Sequence, residues 1–396
     1  MLTNEMLTIY NSVNVYKQKE IGVTIQFGFY IIFLKIFAVK RLHTKCEAGG
    51  NTMESKRVSI KDVAKRANVS IATVSRVVNK KEGVTQPVLE KVQEVIKELG
   101  YSPNTAARSL VRRRTNAIGI VVNNLHDPFF YDLIKGFETA AQQTSYSVVF
   151  CSALGGDVKS KENYVKYLSN GVVDAVILYG SYRSDESMIK YIQDNEQIEF
   201  VMIENDVSSL QCNKLLIDNF GGAKNAVNYL KEKKHRKIAH ICGNPNKKVT
   251  IERFNGYIQA MQEADLEVKD GYIQYSSADY RSGYDRMNAL LDLEERPTAV
   301  FCSDDAIASY AVRAALDRGL RVPEDISIMG FDNQRILPDR YRGPEITTVE
   351  QPLYTIGMDS IRLVSERLSN TDTKAPVRKT YETKIIERET VCEYHG

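Results

Sequence analysis

The side chains best suited to recognition chemistry cluster between Ser70 and Asn79, in the run SIATVSRVVN. Arg76 there can donate two parallel hydrogen bonds to O6 and N7 of a guanine, and Ile71 and Ala72 offer the apolar contact a thymine methyl accepts. Ser70, Thr73, Ser75 and Asn79 carry short donors suited to phosphate oxygens, which fix a protein's register on a duplex without reading its sequence. The competing roles are core packing for Ile71 and a solvated charge for Arg76. Reaction chemistry has no comparable cluster. The sequence contains no Walker loop, no GxGxxG after a strand, no GxSxG and no HExxH, and Gly221-Gly222 marks a helix entry after Asp218-Asn219. The five histidines (His43, His126, His235, His240, His395) include no i, i+4 pair, and the six cysteines (Cys46, Cys151, Cys212, Cys242, Cys302, Cys392) form neither CxxC nor a Cys/His zinc spacing. A chain that is not an enzyme, with no metal or cofactor, is expected. Three of those cysteines lie in apolar runs where a thiol packs as a small hydrophobe, which fits a reducing cytoplasm.

Short capped helices must position the run. Ser59 with Asp62 three residues on is an N-cap and its carboxylate partner, and Ile60, Val63, Ala64 and Ala67 follow at helical spacing. Asn68-Val69-Ser70 is a tight connection, and Ser70 caps a second helix from Ile71 to Asn79 with Val74, Val77 and Val78 on one face. A third helix has Thr85 as cap, Pro87 in its first turn, the stripe Val88, Leu89, Val92, Val95, Ile96 and Leu99, and Gly100 as its stop. Two short helices joined by a three-residue turn point to a helix-turn-helix. A protein-interaction bundle of three helices is the alternative that this geometry leaves open.

Charge divides the chain along the same line. Its 396 residues carry a formal net charge of only +3, yet residues 53–115 hold a net +8, residues 1–52 a net +3, and the remainder a net −8. A basic head on an acidic body is expected where one segment meets a polyanion and the rest does not. With 43% hydrophobic and 26% charged residues, wholesale disorder, a collagen-like fibre and a polytopic membrane protein are excluded. The longest apolar run, Ile21 to Val39, approaches the length of a membrane span, but Lys35 interrupts it, Thr24 and Gln26 dilute it, and no small-residue cleavage site follows. Residues 1–52 are therefore read as a non-native or untranslated leader with Met53 as the true start. Ala48-Gly49-Gly50 can be encoded by a purine-rich ribosome-binding sequence at suitable spacing from Met53.

From Ala117 on, short β-branched runs alternate with helical segments. Strands are expected at 117–122, 147–153, 174–180, 199–204, 237–243, 299–303 and 326–332. Continuous apolar runs of this kind mean parallel sheets covered on both faces. About 280 residues exceed one compact sheet, so two α/β lobes are expected, with ligand binding between them at the carboxyl ends of the strands. After the first strand come Asp127, able to accept hydroxyl protons, and Phe129, able to stack on the apolar face of a sugar; interlobe core is the competing role for Phe129 and Phe130. Between head and body, Tyr101 to Arg114 is by composition a basic linker, with a helix start at Ser102-Pro103.

The run SIKDVAKRANVSIATVSRVVN (Ser59 to Asn79), continued by VLEKVQEVIKELGYSPNTAARSL (Val88 to Leu110), closely resembles the LacI/GalR family of bacterial transcription regulators, and the resemblance extends to about residue 390. It implies an α/β protein in which a three-helix helix-turn-helix domain (53–101) and a hinge helix (102–114) precede a two-lobed, periplasmic-binding-protein-like sensor (115–396). The chain would cross between lobes three times, giving lobe 1 as about 115–218 and 347–370 and lobe 2 as about 219–346 and 371–396. Leu110 would be the hinge leucine that wedges into the minor groove, unstacking a base step, while Arg112 to Arg114 add salt-dependent attraction to phosphates. Two symmetric heads require a pseudo-palindromic operator. In the body, NPFF in the family corresponds to Asp127-Pro128-Phe129-Phe130 here, with Asp127 replacing the usual Asn. Arg253 in ERFNGY and Asp332 in GFDN match ligand-contacting positions, Asp305 follows another strand end, and Tyr280 lies near the mouth of the cleft. Helix capping is the competing role for Asp305 and Asp332.

The function implied is a cytoplasmic, dimeric repressor of carbohydrate-utilisation genes, governed by a sugar or sugar-phosphate effector. No heptad follows the last strand, so a dimer is expected rather than a tetramer. One alternative is a global catabolite regulator with a phosphorylated carrier protein as corepressor, favoured by the recognition helix and by Tyr354 and Arg362, and opposed by Glu366, which would repel a phosphoserine. The alternative from another class is a membrane-anchored sugar-binding protein using Ile21 to Val39, against which the intervening helix-turn-helix argues.

Overall fold

A computed structural model describes residues 58–79, 81–102, 114–154, 158–180, 182, 185–186, 188, 190, 198–207, 211–277, 279, 281–334, 341–369 and 375–395. The apolar run at 21–39, the hinge segment with Leu110, and Tyr280 lie outside the described residues. The chain divides into two units, Met1–Pro103 and Asn104–Gly396.

The first unit holds α1 (Ile60–Ala67), α2 (Ile71–Val78) and α3 (Gln86–Leu99). The Asp62 carboxylate accepts the Ser59 N–H at 2.9 Å, closing the first turn of α1, and Asn68 ends that helix in the left-handed conformation at φ 53°. Ser70 Oγ accepts the Thr73 N–H at 3.0 Å and starts α2. Gly100 ends α3 at φ 61°, a backbone that a side chain would strain. The apolar stripes meet in a small core of Val63, Ala64, Ala67, Val74, Val77, Val92 and Val95.

The second unit has two parallel sheets. The first runs β11-β5-β4-β3-β1-β2, from β1 (Ala117–Val122), β2 (Ser147–Ser152), β3 (Ala175–Tyr179), β4 (Glu199–Ile203), β5 (Asn213–Ile217) and β11 (Arg378–Tyr381). It is covered on one side by α4 (Tyr131–Gln142) and α10 (Leu353–Ser369). These two helices touch backbone to backbone: a Cβ on Gly136 would lie 2.3 Å from the Tyr354 carbonyl, and one on Gly357 2.4 Å from that of Leu133. On the other side lies α5 (Val158–Ser169). The second sheet runs β7-β6-β8-β9, from β6 (Ile238–Cys242), β7 (Ile273–Tyr275), β8 (Ala299–Cys302) and β9 (Ser327–Met329). Around it pack α6 (Asn219–Glu232), α7 (Lys248–Glu263), α8 (Ser282–Leu291) and α9 (Asp305–Asp317). An antiparallel pair, β10 (Thr348–Glu350) with β12 (Lys384–Ile386), extends this lobe, since Val349 and Val391 lie in its core.

The seven expected strands are present, the last shortened to Ser327–Met329 and followed at Asp332 by a left-handed backbone, φ 104°. The lobe boundaries need correction. Arg378–Tyr381 pairs with β5 in the first sheet, where 371–396 had been assigned to the second lobe, and Thr348–Glu350 joins the second lobe, where 347–370 had been assigned to the first. The three crossings accordingly fall between β5 and α6, between β10 and α10, and between β11 and β12. Among the described residues no helix is long and apolar enough to cross a membrane.

Candidate functional site

In the head, α2 buries Val74 and Val77 and turns its other face outward. Ile71 is 46% exposed, and Ala72 and Arg76 are exposed, so Ile71 is not a core residue. The short polar residues divide. Ser70 Oγ caps the helix and lies 2.8 Å from Thr73 Oγ1, while Asn79 Nδ2 donates to the Ser75 carbonyl at 2.7 Å and so finishes the helix. Ser75 and Thr73 are half-buried. The face thus presents Ile71, Ala72 and Arg76 from a helix whose ends are internally satisfied.

In the body, the strand ends of both lobes surround a cleft of about 320 Å³. Of the residues expected there, Asp127, Phe129, Arg253 and Asp332 line it. Arg253, on α7, is 4% exposed and its guanidinium is held through two of its nitrogens: Nε donates to Asn219 Oδ1 at 2.9 Å, one terminal nitrogen donates to the Ser303 carbonyl at 2.6 Å and lies 2.9 Å from Asp332 Oδ1, and the guanidinium carbon sits 3.8 Å from the Phe331 ring centre. Burial pushes the Asp332 carboxyl above the usual carboxylate range, and Arg253 holds back part of that rise. Phe129 is half-buried and packs edge-on against Phe130 and Tyr179 at 5.0 and 5.8 Å, so it belongs both to the wall of the cleft and to the first lobe's core. Asp127 Oδ1 caps the turn Pro128–Phe130 by accepting the Phe129 N–H at 3.1 Å.

Asp305 is a correction. It is 2% exposed and faces away from the cleft, accepting Thr348 Oγ1 at 2.6 Å and the Gln334 N–H at 2.7 Å. Its neighbour Asp304 lines the cleft instead, capping α9 by accepting the Ile307 N–H at 2.8 Å. Asp304 is the extended N-cap and Asp305 the first helical residue, so the point at which α9 starts decides which carboxyl reaches the cleft.

Several cleft residues were not singled out from the sequence. Glu204 directly follows β4 and binds across the lobes, accepting Asn219 Nδ2 at 3.0 Å and the Tyr179 hydroxyl at 3.3 Å; burial raises its pKa to about 8, with Arg253 opposing. Tyr182 pairs in an antiparallel bridge with Lys247 of the second lobe. Behind it the fully buried pair Lys161–Asp185, 2.9 Å apart, accepts the Tyr182 N–H on Asp185 at 3.2 Å. The strand-end rule applied to every strand would have found Tyr179 and Glu204; Lys247 and Gln334 carry no local signal. Among the described residues no cluster of metal-ligating side chains exists.

The family profile described as bacterial regulatory proteins, lacI family, matches residues 59–104, and that described as a periplasmic binding protein-like domain matches residues 227–391. The HTH-type transcriptional repressor PurR of Pectobacterium carotovorum is 34% identical over 336 residues, covering 85% of this chain and 97% of its own. PurR of Haemophilus influenzae is 35% identical over 316 residues, covering 79% and 92%. Among solved structures, the transcriptional regulator CelR in complex with cellobiose is 30% identical with a TM-score of 0.61, covering 84% of this chain and 100% of its own. The Lac repressor dimer bound to operator and an anti-inducer is 24% identical with a TM-score of 0.75, covering 85% and 100%, a likeness of fold.

Proposed function

The chain belongs to the LacI family of bacterial regulatory proteins and is a DNA-binding transcriptional repressor; from that premise we propose that a small molecule in the interlobe cleft controls its hold on a pseudo-palindromic operator, bound as a homodimer. The observation that carries this reading is the cleft: about 320 Å³ at the strand ends of two lobes, walled by Phe129, Tyr179 and Tyr182 and floored by the engaged Arg253–Asp332 pair. Aromatic walls and fixed carboxyl and amide groups suit a polyhydroxylated ring, and CelR, of the same fold, is a cellobiose complex. The effector is a sugar or sugar phosphate from carbohydrate utilisation. Of the two cations in the lining, Lys247 and Arg253, the second is already committed to Asp332, which leaves little positive charge for a phosphate and favours the neutral sugar. Effector control means differential affinity, the ligand binding more tightly to one lobe arrangement than to the other.

The head reads DNA through Ile71, Ala72 and Arg76, with Ser70, Thr73 and Ser75 on phosphates and Leu110 in the minor groove. Thermal-shift screening of the full chain against neutral sugars and sugar phosphates identifies the effector, because a ligand of the folded state raises Tm. Operator titration at fixed salt then measures its effect. A panel in which nothing shifts Tm or operator affinity ends the sugar reading.

A second reading has a phosphorylated carrier protein docking on α10, with Tyr354, 40% exposed, in its favour. Against it, Arg362 already donates to Gln143 at 3.3 Å, and Glu366 one turn further on sets a carboxylate where a phosphoserine would land.

A further inference from the structure

One hydrogen bond crosses the cleft at the side chain expected to take the effector. Gln334 Nε2, from the second lobe, donates to Asp127 Oδ1 of the first at 3.0 Å. Its anchorage makes that reach a built feature. Gln334 follows two non-glycine residues with left-handed backbone, Asp332 at φ 104° and Asn333 at φ 49°. Both are held: Asp332 by Arg253 at 2.9 Å and by Gln351 Nε2, and Asn333 by Glu350, which accepts its Nδ2 at 2.8 Å, and by Arg388, which donates to its Oδ1. The Gln334 N–H itself is fixed by the buried Asp305 at 2.7 Å. Asp305 is seated against Gly330, where a Cβ would lie 2.0 Å from Asp305 Oδ1. On the opposite side Asp127 is fixed by the turn it caps, which leads into α4.

We propose that Gln334 is the internal latch of the cleft: its amide occupies the Asp127 carboxylate that a ligand hydroxyl would use, so that effector entry exchanges one donor for the other. Asp305 is the positioning residue for this latch, which accounts for a carboxylate buried behind the cleft and turned away from it. The exchange is close to even in hydrogen bonds, since an amide N–H on a carboxylate gives way to an O–H on the same carboxylate. An effector offering a donor at that point replaces the latch, whereas one lacking it leaves the half-buried Asp127 carboxylate with only the Phe129 N–H.

The proposal rests on the reading of the cleft as an effector site, but its test uses no ligand. In the full-length protein, hydrogen exchange is measured over residues 123–130 and 243–253 for a charge series at position 334. Gln334→Ala removes the latch and is expected to speed exchange of both cleft walls about tenfold, the scale of one hydrogen bond to a charged group. Gln334→Glu sets a like charge against Asp127 and exchanges faster still, whereas Gln334→Lys restores the attraction and exchanges at or below the native rate. Combining Gln334→Ala with Asp127→Ala adds nothing beyond Asp127→Ala alone. Equal exchange for the Glu and Lys variants, or additive effects of the two alanine substitutions, overturns the latch while leaving the effector reading intact. An effector screen that finds no ligand overturns the effector reading and leaves this result standing.

Discussion

The outward face of α2 and the interlobe cleft are both recognition surfaces, but their side chains stand in opposite states. In the head the reading groups, Ile71, Ala72 and Arg76, project from a helix whose backbone ends are satisfied by other residues, Ser70 and Asn79. In the cleft the candidate ligand groups are satisfied by one another: Arg253 by Asn219, Ser303 and Asp332, Glu204 by Asn219 and Tyr179, Asp127 by Gln334. A surface that must meet a solvated polyanion can leave its donors in water until contact. A cleft that alternates between filled and empty must supply internal partners, because a buried polar group without one costs free energy in every state.

The comparison is tested most severely at Arg253. Arg253→Ala leaves Asp332 buried without its counter-charge, together with Asn219 Oδ1 and the Ser303 carbonyl, so a loss of about 3–5 kcal/mol in body stability is expected in denaturant titration. The effector response disappears with it. A variant as stable as the native chain would mean that water fills the site and that the pair carries no structural weight. Arg76→Ala is the opposite case. Its guanidinium is exposed, so the thermal stability of the head stays unchanged, while affinity for the operator falls by about 1–3 kcal/mol with relaxed specificity at one guanine. Equal loss on operator and random DNA removes the base-reading role.

The same contrast explains what the sequence made legible. The head was readable because caps, stripe and reading face all repeat within one or two helical turns: Ser59 with Asp62, Ser70 with Thr73, Val74 with Val77 and Val78. Strands that are apolar throughout, such as Ala175–Tyr179, were equally plain because both faces are covered. The strand Arg378–Tyr381 was not, since as the edge of the first sheet it exposes three of its four residues. Its position there also carried the third crossing past the expected boundary. Asn213–Ile217 hides its identity because buried Lys214 reads as polar, although its ammonium is bound by Asp206 and the Val207 carbonyl. In the cleft, Asp305 and Asp304 exchange roles because two adjacent carboxyls leave the start of α9 ambiguous by one residue, and Gln334 meets Asp127 across 207 residues of sequence. Partners that distant leave no periodic trace.

Glu204 sharpens the comparison through pH. Its pKa rises from an ordinary 4.5 to about 8, so between those values the folded chain keeps a proton that the unfolded chain has released. Stability contributed at this site therefore falls as pH rises through that window, with a slope of at most about 1.4 kcal/mol per pH unit. Glu204→Gln, neutral at every pH, is expected to flatten that part of the profile in denaturant titrations at pH 5.5 and 7.5. An unchanged profile would place the titration elsewhere among the buried carboxyls and remove Glu204 as the protonated joint between the lobes.

Ser70 is where the distinction between the two surfaces comes closest to failing, because one hydroxyl is assigned both a structural and a recognition role. It caps α2 by accepting the Thr73 N–H and is also a proposed phosphate donor. Ser70→Ala is expected to cost about 1 kcal/mol of head stability, the usual worth of an N-cap. It should weaken binding equally on operator and random DNA, since phosphate contacts carry no sequence information. Alanine alone cannot separate the two roles, but Ser70→Asp can: a carboxylate caps a helix as well as serine does and also suits the positive end of the helix dipole, so stability is kept. The same carboxylate faces the phosphates and repels them. A variant that is stable yet weak on all DNA, with the deficit shrinking as salt is raised, assigns the hydroxyl to phosphate as well as to the cap. Native affinity in that variant would return Ser70 to capping alone and leave the reading face with no structural residue in it.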